Sequence, residues 1–221
     1  MKLIIRALIK YIVDIAGLGI LLFVSAGTIY FPAAWILIGS IMVLGAGYGI
    51  YMMRFHKSLL ARRLMDTERS NYQIIIMGLS LLLLCSLLVI SGLSYRYSFG
   101  IIPDWRYYIS VLLLLIGIII YISVISVNEY LSTAIKISEN QKVVTKGPYG
   151  YVRHPMYTAV MLVFLAALVV LGSSLALLGS LLFFPLVYLR IKDEERLLVN
   201  YLLGYSEYTK VVKFRLIPFI W

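Results

Sequence analysis

Apolar runs of membrane-spanning length recur along this chain of 221 residues and constrain its fold more than any other feature. The hydrocarbon core of a bilayer is about 30 Å thick, a distance that a helix covers in about 20 residues. Such runs are read at residues 11–30, 33–53, 73–93, 105–127, 156–171 and 174–191. Inside lipid every backbone N–H and C=O must be satisfied within the protein, so spanning structures are helices or closed barrels. None of these runs alternates polar and apolar residues as a barrel strand does. The expected fold class is all-α: a polytopic membrane protein with about six transmembrane helices. Its composition agrees, because 62% hydrophobic and 14% charged residues lie far from the balance of a soluble domain.

The last two runs are short. Sixteen residues at helical rise cover about 24 Å, so these two are expected to form a short helical hairpin, turned at Gly172-Ser173, followed by a cytosolic C-terminal helical segment. Of the 20 lysines and arginines, 18 flank the runs on one side, and only Arg96 and Arg106 fall on the other. Basic flanks mark the cytoplasmic face, so both termini are expected in the cytosol. The first run is long, carries Asp14 and is followed by further runs, which suits a retained helix and not a signal peptide. The chain divides into a four-span membrane scaffold, residues 1–127, and a functional region, residues 128–221.

Several functions are set aside by the same pattern. The net charge of +10 is spread as membrane flanks that attract anionic lipid headgroups, so nucleic acid is not an expected partner. Cys85 is the single cysteine and lies among leucines, which reads as packing, with no disulfide, metal cluster or nucleophile. Gly45 and Gly49 form a small-xxx-small pattern suited to close helix approach. There is no internal repeat of the kind that builds a two-fold transporter, and the runs lack the buried charges of a transport path.

Two stretches carry the chemistry. In Gly147-Pro148-Tyr149-Gly150-Tyr151-Val152-Arg153-His154-Pro155-Met156-Tyr157, polar and aromatic residues crowd the junction between a basic loop and a renewed apolar run. Proline is favoured at the first helical position, which sets His154 at the cap of the fifth helix. Singly, His154 reads as a cap, Arg153 as an interfacial anchor and the tyrosines as an aromatic belt. Together they offer stacking faces and hydrogen-bond donors to a ligand. In the second stretch, 190–196, Arg190 and Glu194 stand four apart on one helix face, either as an ion pair of a few tenths of a kcal/mol or as part of a site.

These motifs, in this order, resemble the isoprenylcysteine carboxyl methyltransferases and the related phospholipid methyltransferases. The resemblance rests on Gly147-Pro148-Tyr149, Arg153-His154-Pro155-Met156-Tyr157, the short hairpin, Glu194-Glu195 and the closing Leu216-Ile217-Pro218-Phe219-Ile220, and it covers residues 128–221. It implies an S-adenosyl-L-methionine site on the cytosolic face, roofed by the C-terminal segment. By position, Gln141, Lys142, Val143 and Val144 would line the cofactor through backbone groups, and Tyr149 would stack. His154, Pro155, Met156 and Tyr157 would hold its polar end, and Glu194 would take a hydroxyl or ammonium. Arg190 matches the arginine that would meet the acceptor's carboxylate. The acceptor would be lipid-like or isoprenylated, no metal is implied, and no catalytic base is assigned.

An amine acceptor would need a base such as Glu195 to remove a proton. Sterol and steroid reductases that use NADPH also carry an Arg-His-Pro-x-Tyr element, although Met156 stands where those enzymes commonly have asparagine. A non-enzymatic membrane protein is the third alternative.

Overall fold

A computed structural model describes residues 2–65, 68, 70–138 and 140–221. The helices are α1 (Lys2–Ala26), α2 (Pro32–Phe55), α3 (Lys57–Met65), α4 (Asn71–Tyr97), α5 (Arg106–Val127), α6 (Pro155–Leu171), α7 (Ser174–Gly179), α8 (Phe183–Tyr201) and α9 (Tyr205–Val211). Short 3-10 turns occupy Gly147–Gly150 and Ser180–Leu182. Among the described residues there is no strand, only an isolated bridge between Ile101 and Ser173. The all-α polytopic fold expected from the sequence is the fold observed. Arg69 and the side chain of Lys2, both counted as basic flanks, lie outside the described residues.

Among the described residues five apolar helical stretches are long enough to cross a membrane: Ile4–Ala26, Pro32–Phe55, Asn71–Tyr97, Arg106–Val127 and Ser174–Tyr201. Pro155–Leu171 is shorter. The last helix differs from expectation, because it does not stop at Ile191 but continues through the charged 190–196 stretch to Tyr201. Arg190, Asp193, Glu194 and Glu195 find partners inside the protein while Lys192 and Arg196 stay exposed, so the charged stretch does not end the helix. The turn between α6 and α7 falls where expected: Gly172 adopts a φ of +78°, and the Ser173 side chain accepts from the Ala176 N–H. Glycine suits the left-handed position that closes a helix.

Small residues set the helix approaches. At Gly117 on α5 an added methyl would fall 2.9 Å from the Val163 side chain and 3.2 Å from the Ala159 carbonyl, so α5 and α6 pack nearly backbone to backbone. Gly45 makes room for the ring of Tyr11, whose hydroxyl donates to the Met42 carbonyl at 2.7 Å. Among the described residues nothing stands over Gly49, so the pair admits a tyrosine ring at Gly45 and not the close helix approach expected of its spacing.

The up-and-down path of the chain gathers the starts of α1, α4 and α6 and the ends of α2, α5 and α8 at one end of the bundle. A core of Leu22, Phe31, Ala34, Leu88 and Val170 packs the opposite end. At the first end, Met52, Leu59, Leu60 and Ile125 form a second cluster, on which Leu131 and Met156 rest. Leu202, Tyr205, Tyr208 and Val212 form a third. Beyond α9 the chain runs back along the start of α6, where the Arg153 and His154 N–H groups donate to the Phe214 and Arg215 carbonyls, both at 2.9 Å. The Thr158 hydroxyl donates to the Leu216 carbonyl at 2.8 Å.

Candidate functional site

Pro155 is the first residue of α6 and His154 its N-cap, yet the imidazole does not cap the helix. It is 4% exposed and faces two carboxylates instead. His154 Nε2 lies 3.3 Å from Glu195 Oε1, and Nδ1 lies 3.9 Å from Glu194 Oε2. Arg153 does not anchor to the interface either. It pairs with Glu195 at 3.0 Å, while Arg215 from the returning tail donates to the other Glu195 oxygen at 2.8 Å. A buried carboxylate is costly unless paired and hydrogen-bonded, and Glu195 draws three partners from two segments. Glu195 thereby fastens the tail and the start of α6 to α8.

One turn along, the Tyr157 hydroxyl donates to Glu194 Oε2 at 2.8 Å and accepts from Arg190 Nε at 3.0 Å. The remaining Arg190 nitrogens reach the Gln73 side-chain oxygen at 3.2 Å and the Thr133 carbonyl at 3.0 Å. Arg190 and Glu194 do not form the intrahelical ion pair that their spacing allows. Tyr157 stands between them and is bonded to both.

A cavity of about 380 Å³ opens beside these groups. Gln141, Lys142, Val143, Val144, Tyr149, His154, Met156, Tyr157, Arg190 and Glu194 all line it. Pro155 does not; it is buried where it sets the direction of α6. Tyr151 is 73% exposed and turned away, so of the three motif tyrosines only Tyr149 and Tyr157 reach the cavity. Within the loop, the Gln141 side chain folds back to accept from the Ser138 N–H at 2.8 Å. Among the described residues no group of three or more His, Cys, Asp or Glu is placed to hold a metal ion.

The tyrosines of the cavity floor are held by neighbours. Asn128 donates to the Tyr149 hydroxyl at 2.6 Å, and the Tyr208 hydroxyl donates to the Tyr149 carbonyl at 2.7 Å. Burial pushes the Tyr149 phenol well above its ordinary range, against the Asn128 hydrogen bond, which favours the ionised form. Burial also pushes Tyr208 up to about 12, with Arg153 opposing and Glu195 reinforcing the shift. Tyr205 lines the same cavity, and its hydroxyl is buried without a hydrogen-bond partner among the described residues. An unsatisfied buried hydroxyl costs about 1–3 kcal/mol.

Sequence reasoning missed several contributors. Arg63 of α3 and Met77 of α4 line the cavity from the half of the chain read as scaffold. Arg63 resembles any basic flank and Met77 any lipid-facing residue. Gln73 had a visible signal, being an amide in the first turn of an otherwise apolar helix.

Residues 109–200 match the family model of the isoprenylcysteine carboxyl methyltransferases, ICMT. The matched stretch holds α5, the 147–157 motif, α6, α7 and Arg190, Glu194 and Glu195 of α8. The resemblance read from the motifs is thus borne out, and this part of the chain carries the pattern of a membrane methyltransferase. The closing Leu216–Ile220 motif and the floor tyrosines Tyr205 and Tyr208 lie outside the match. No curated protein matches the chain.

Proposed function

We propose that this protein transfers the methyl group of S-adenosyl-L-methionine to the carboxylate of a lipid-like, isoprenylcysteine-type acceptor at the membrane–cytosol boundary. The observation that carries this reading is a single cavity in which Tyr157 joins a cation, Arg190, to an anion, Glu194, within the stretch that matches the family.

The residues present fit the methyl donor. Tyr149, Tyr205 and Tyr208 offer aromatic rings, and Glu194 a carboxylate for an ammonium or ribose hydroxyl. A cavity of about 380 Å³ falls in the range of small-molecule sites. When bound, S-adenosyl-L-methionine supplies a methyl group on a sulfonium sulfur, open to in-line attack. Gln141, Lys142, Val143 and Val144 would line it along the loop, and His154, Met156 and Tyr157 would surround its polar end. Arg190 would orient the acceptor, since a guanidinium fits a planar carboxylate. A carboxylate with a reference pKa near 4 is already ionised at neutral pH, so no residue is assigned as a base. Alignment of the reactants and exclusion of water carry the rate.

Phospholipid amine methylation would require a proton acceptor. Glu195, the acid considered for that role, is occupied by Arg153, His154 and Arg215 and does not line the cavity, and Glu194, which does, is bonded to Tyr157. An NADPH-dependent reductase and a non-enzymatic role lack the support that the methyltransferase match supplies. Met77 on α4 and Val160 on α6 line the cavity and are 42% and 48% exposed. Such exposed apolar lining on two membrane helices supports lateral entry of a lipid chain between them. The bias of basic flanks supports placing this end, with both termini, in the cytosol.

Thermal-shift titration of the detergent-solubilised protein with S-adenosyl-L-methionine, S-adenosylhomocysteine and NADPH tests the assignment, because a ligand bound to the native state alone raises apparent stability. Stabilisation by both sulfur compounds is expected. Stabilisation by NADPH alone would overturn it in favour of a reductase.

A further inference from the structure

Among the described residues Arg190 is hydrogen-bonded only to neutral groups. Its three nitrogens donate to the Tyr157 hydroxyl on α6, the Gln73 side-chain oxygen on α4 and the Thr133 carbonyl in the loop before α6. A carboxylate is close by on its own helix, but Asp193 is taken by the Gln73 amide nitrogen at 2.5 Å. Gln73 is 0% exposed and stands between the two charges, with its oxygen towards the cation and its nitrogen towards the anion. The reverse orientation would set like against like at both ends, so the hydrogen-bond network permits one orientation of the amide.

A buried polar side chain in a membrane helix is costly unless satisfied, and Gln73 is satisfied at both ends. An amide can separate a guanidinium from a carboxylate while neutralising neither. Glutamate at the same place would pair with Arg190 and repel Asp193. Methionine would leave both without that contact.

Resting on the reading of Arg190 as the acceptor's partner, we infer that Gln73 is the positioning residue that sets the site's preference for an anionic acceptor. It fixes the guanidinium through an uncharged oxygen, so the positive charge remains for the acceptor's carboxylate. The first half of the chain thereby takes part in choosing the substrate through a residue that need not touch it.

The test compares Gln73→Glu and Gln73→Met with the parent protein in lipid vesicles. Two readouts are the KM for a farnesylcysteine carboxylate acceptor and the inhibition constant of its neutral carboxamide analogue. For Gln73→Glu the KM should rise about tenfold or more, as expected when a desolvated charge loses its free partner. Inhibition by the carboxamide and stabilisation by S-adenosylhomocysteine should stay within about twofold, the scatter expected where no contact changes. Gln73→Met removes a tether but adds no charge, so its KM should rise less than that of Gln73→Glu. Equal losses for carboxylate and carboxamide would overturn the proposal and leave Gln73 as packing, as would a KM order with Gln73→Met above Gln73→Glu. If the parent itself fails to use a carboxylate acceptor, the functional reading fails, and that result is separate from any effect of Gln73.

Discussion

The Tyr157 hydroxyl donates to Glu194 at 2.8 Å across a sequence separation of 37 residues. The same oxygen accepts from Arg190 at 3.0 Å, so one phenol ties the residue proposed to hold the methyl donor to the residue proposed to hold the acceptor. Replacing Tyr157 by Phe removes both bonds, each worth about 1 kcal/mol net. Donor dissociation constant and acceptor KM should each rise roughly fivefold, read by thermal-shift titration and steady-state kinetics.

Substitutions on either side of Tyr157 should separate the two effects. Glu194→Gln keeps an acceptor for the Tyr157 hydroxyl but loses its charge, so donor binding should weaken by about tenfold, the difference expected between charged and neutral hydrogen bonds. Arg190→Ala should leave donor binding unchanged and impair acceptor turnover. If both variants bind and turn over like the parent, these two residues only tie α8 to α6 through Tyr157 and hold no ligand.

Glu195 is the structural counterpart of its neighbour. With Arg153, His154 and Arg215 converging on it, Glu195→Ala leaves buried positive charge uncompensated. The loss of stability should be about 3 kcal/mol or more, measured by thermal unfolding in detergent. Protease cleavage within the 212–221 tail should accelerate in parallel, because the tail loses its Arg215 anchor.

Alkaline pH should loosen the cavity floor. Tyr208 titrates near 12 in the folded protein and near 10 when unfolded, so folding favours its protonated form. The contribution is fully present below pH 10 and is lost as pH rises towards 12. Tyr208→Phe should lose the hydrogen bond to the Tyr149 carbonyl at all pH values and flatten the stability profile between pH 10 and 12. A profile unchanged by this substitution would show that another group controls the alkaline transition.

The long helices are legible in the sequence because lipid leaves the backbone few alternatives, so hydropathy alone places α2, α4 and α5 within a few residues, whereas α1 begins at Lys2, nine residues before the run read from Tyr11. The end of α8 is not legible in the same way. Arg190 to Arg196 look like a membrane boundary, but Arg190, Glu194 and Glu195 face inward onto Tyr157, His154 and the tail, and the helix continues. The 147–157 motif stands out through residue type, whereas Arg63 and Met77 do not, and the amide of Gln73 gives no hint of its partners. Their part depends on α3 and α4 packing beside α6 and α8, a long-range fact that no local pattern encodes. Arg153 illustrates the same limit: beside an apolar run it reads as an anchor, and only the fold supplies Glu195 as its partner.

The most direct test supplies S-adenosyl-L-methionine labelled in its methyl group, together with a farnesylated cysteine acceptor, to the protein in vesicles, and follows the label through alkaline treatment. Transfer to a carboxylate makes a methyl ester, so the label should enter the lipid fraction and leave as volatile methanol in alkali. Label that remains on the lipid after alkali, or that never enters it while the donor binds, would contradict carboxyl methylation.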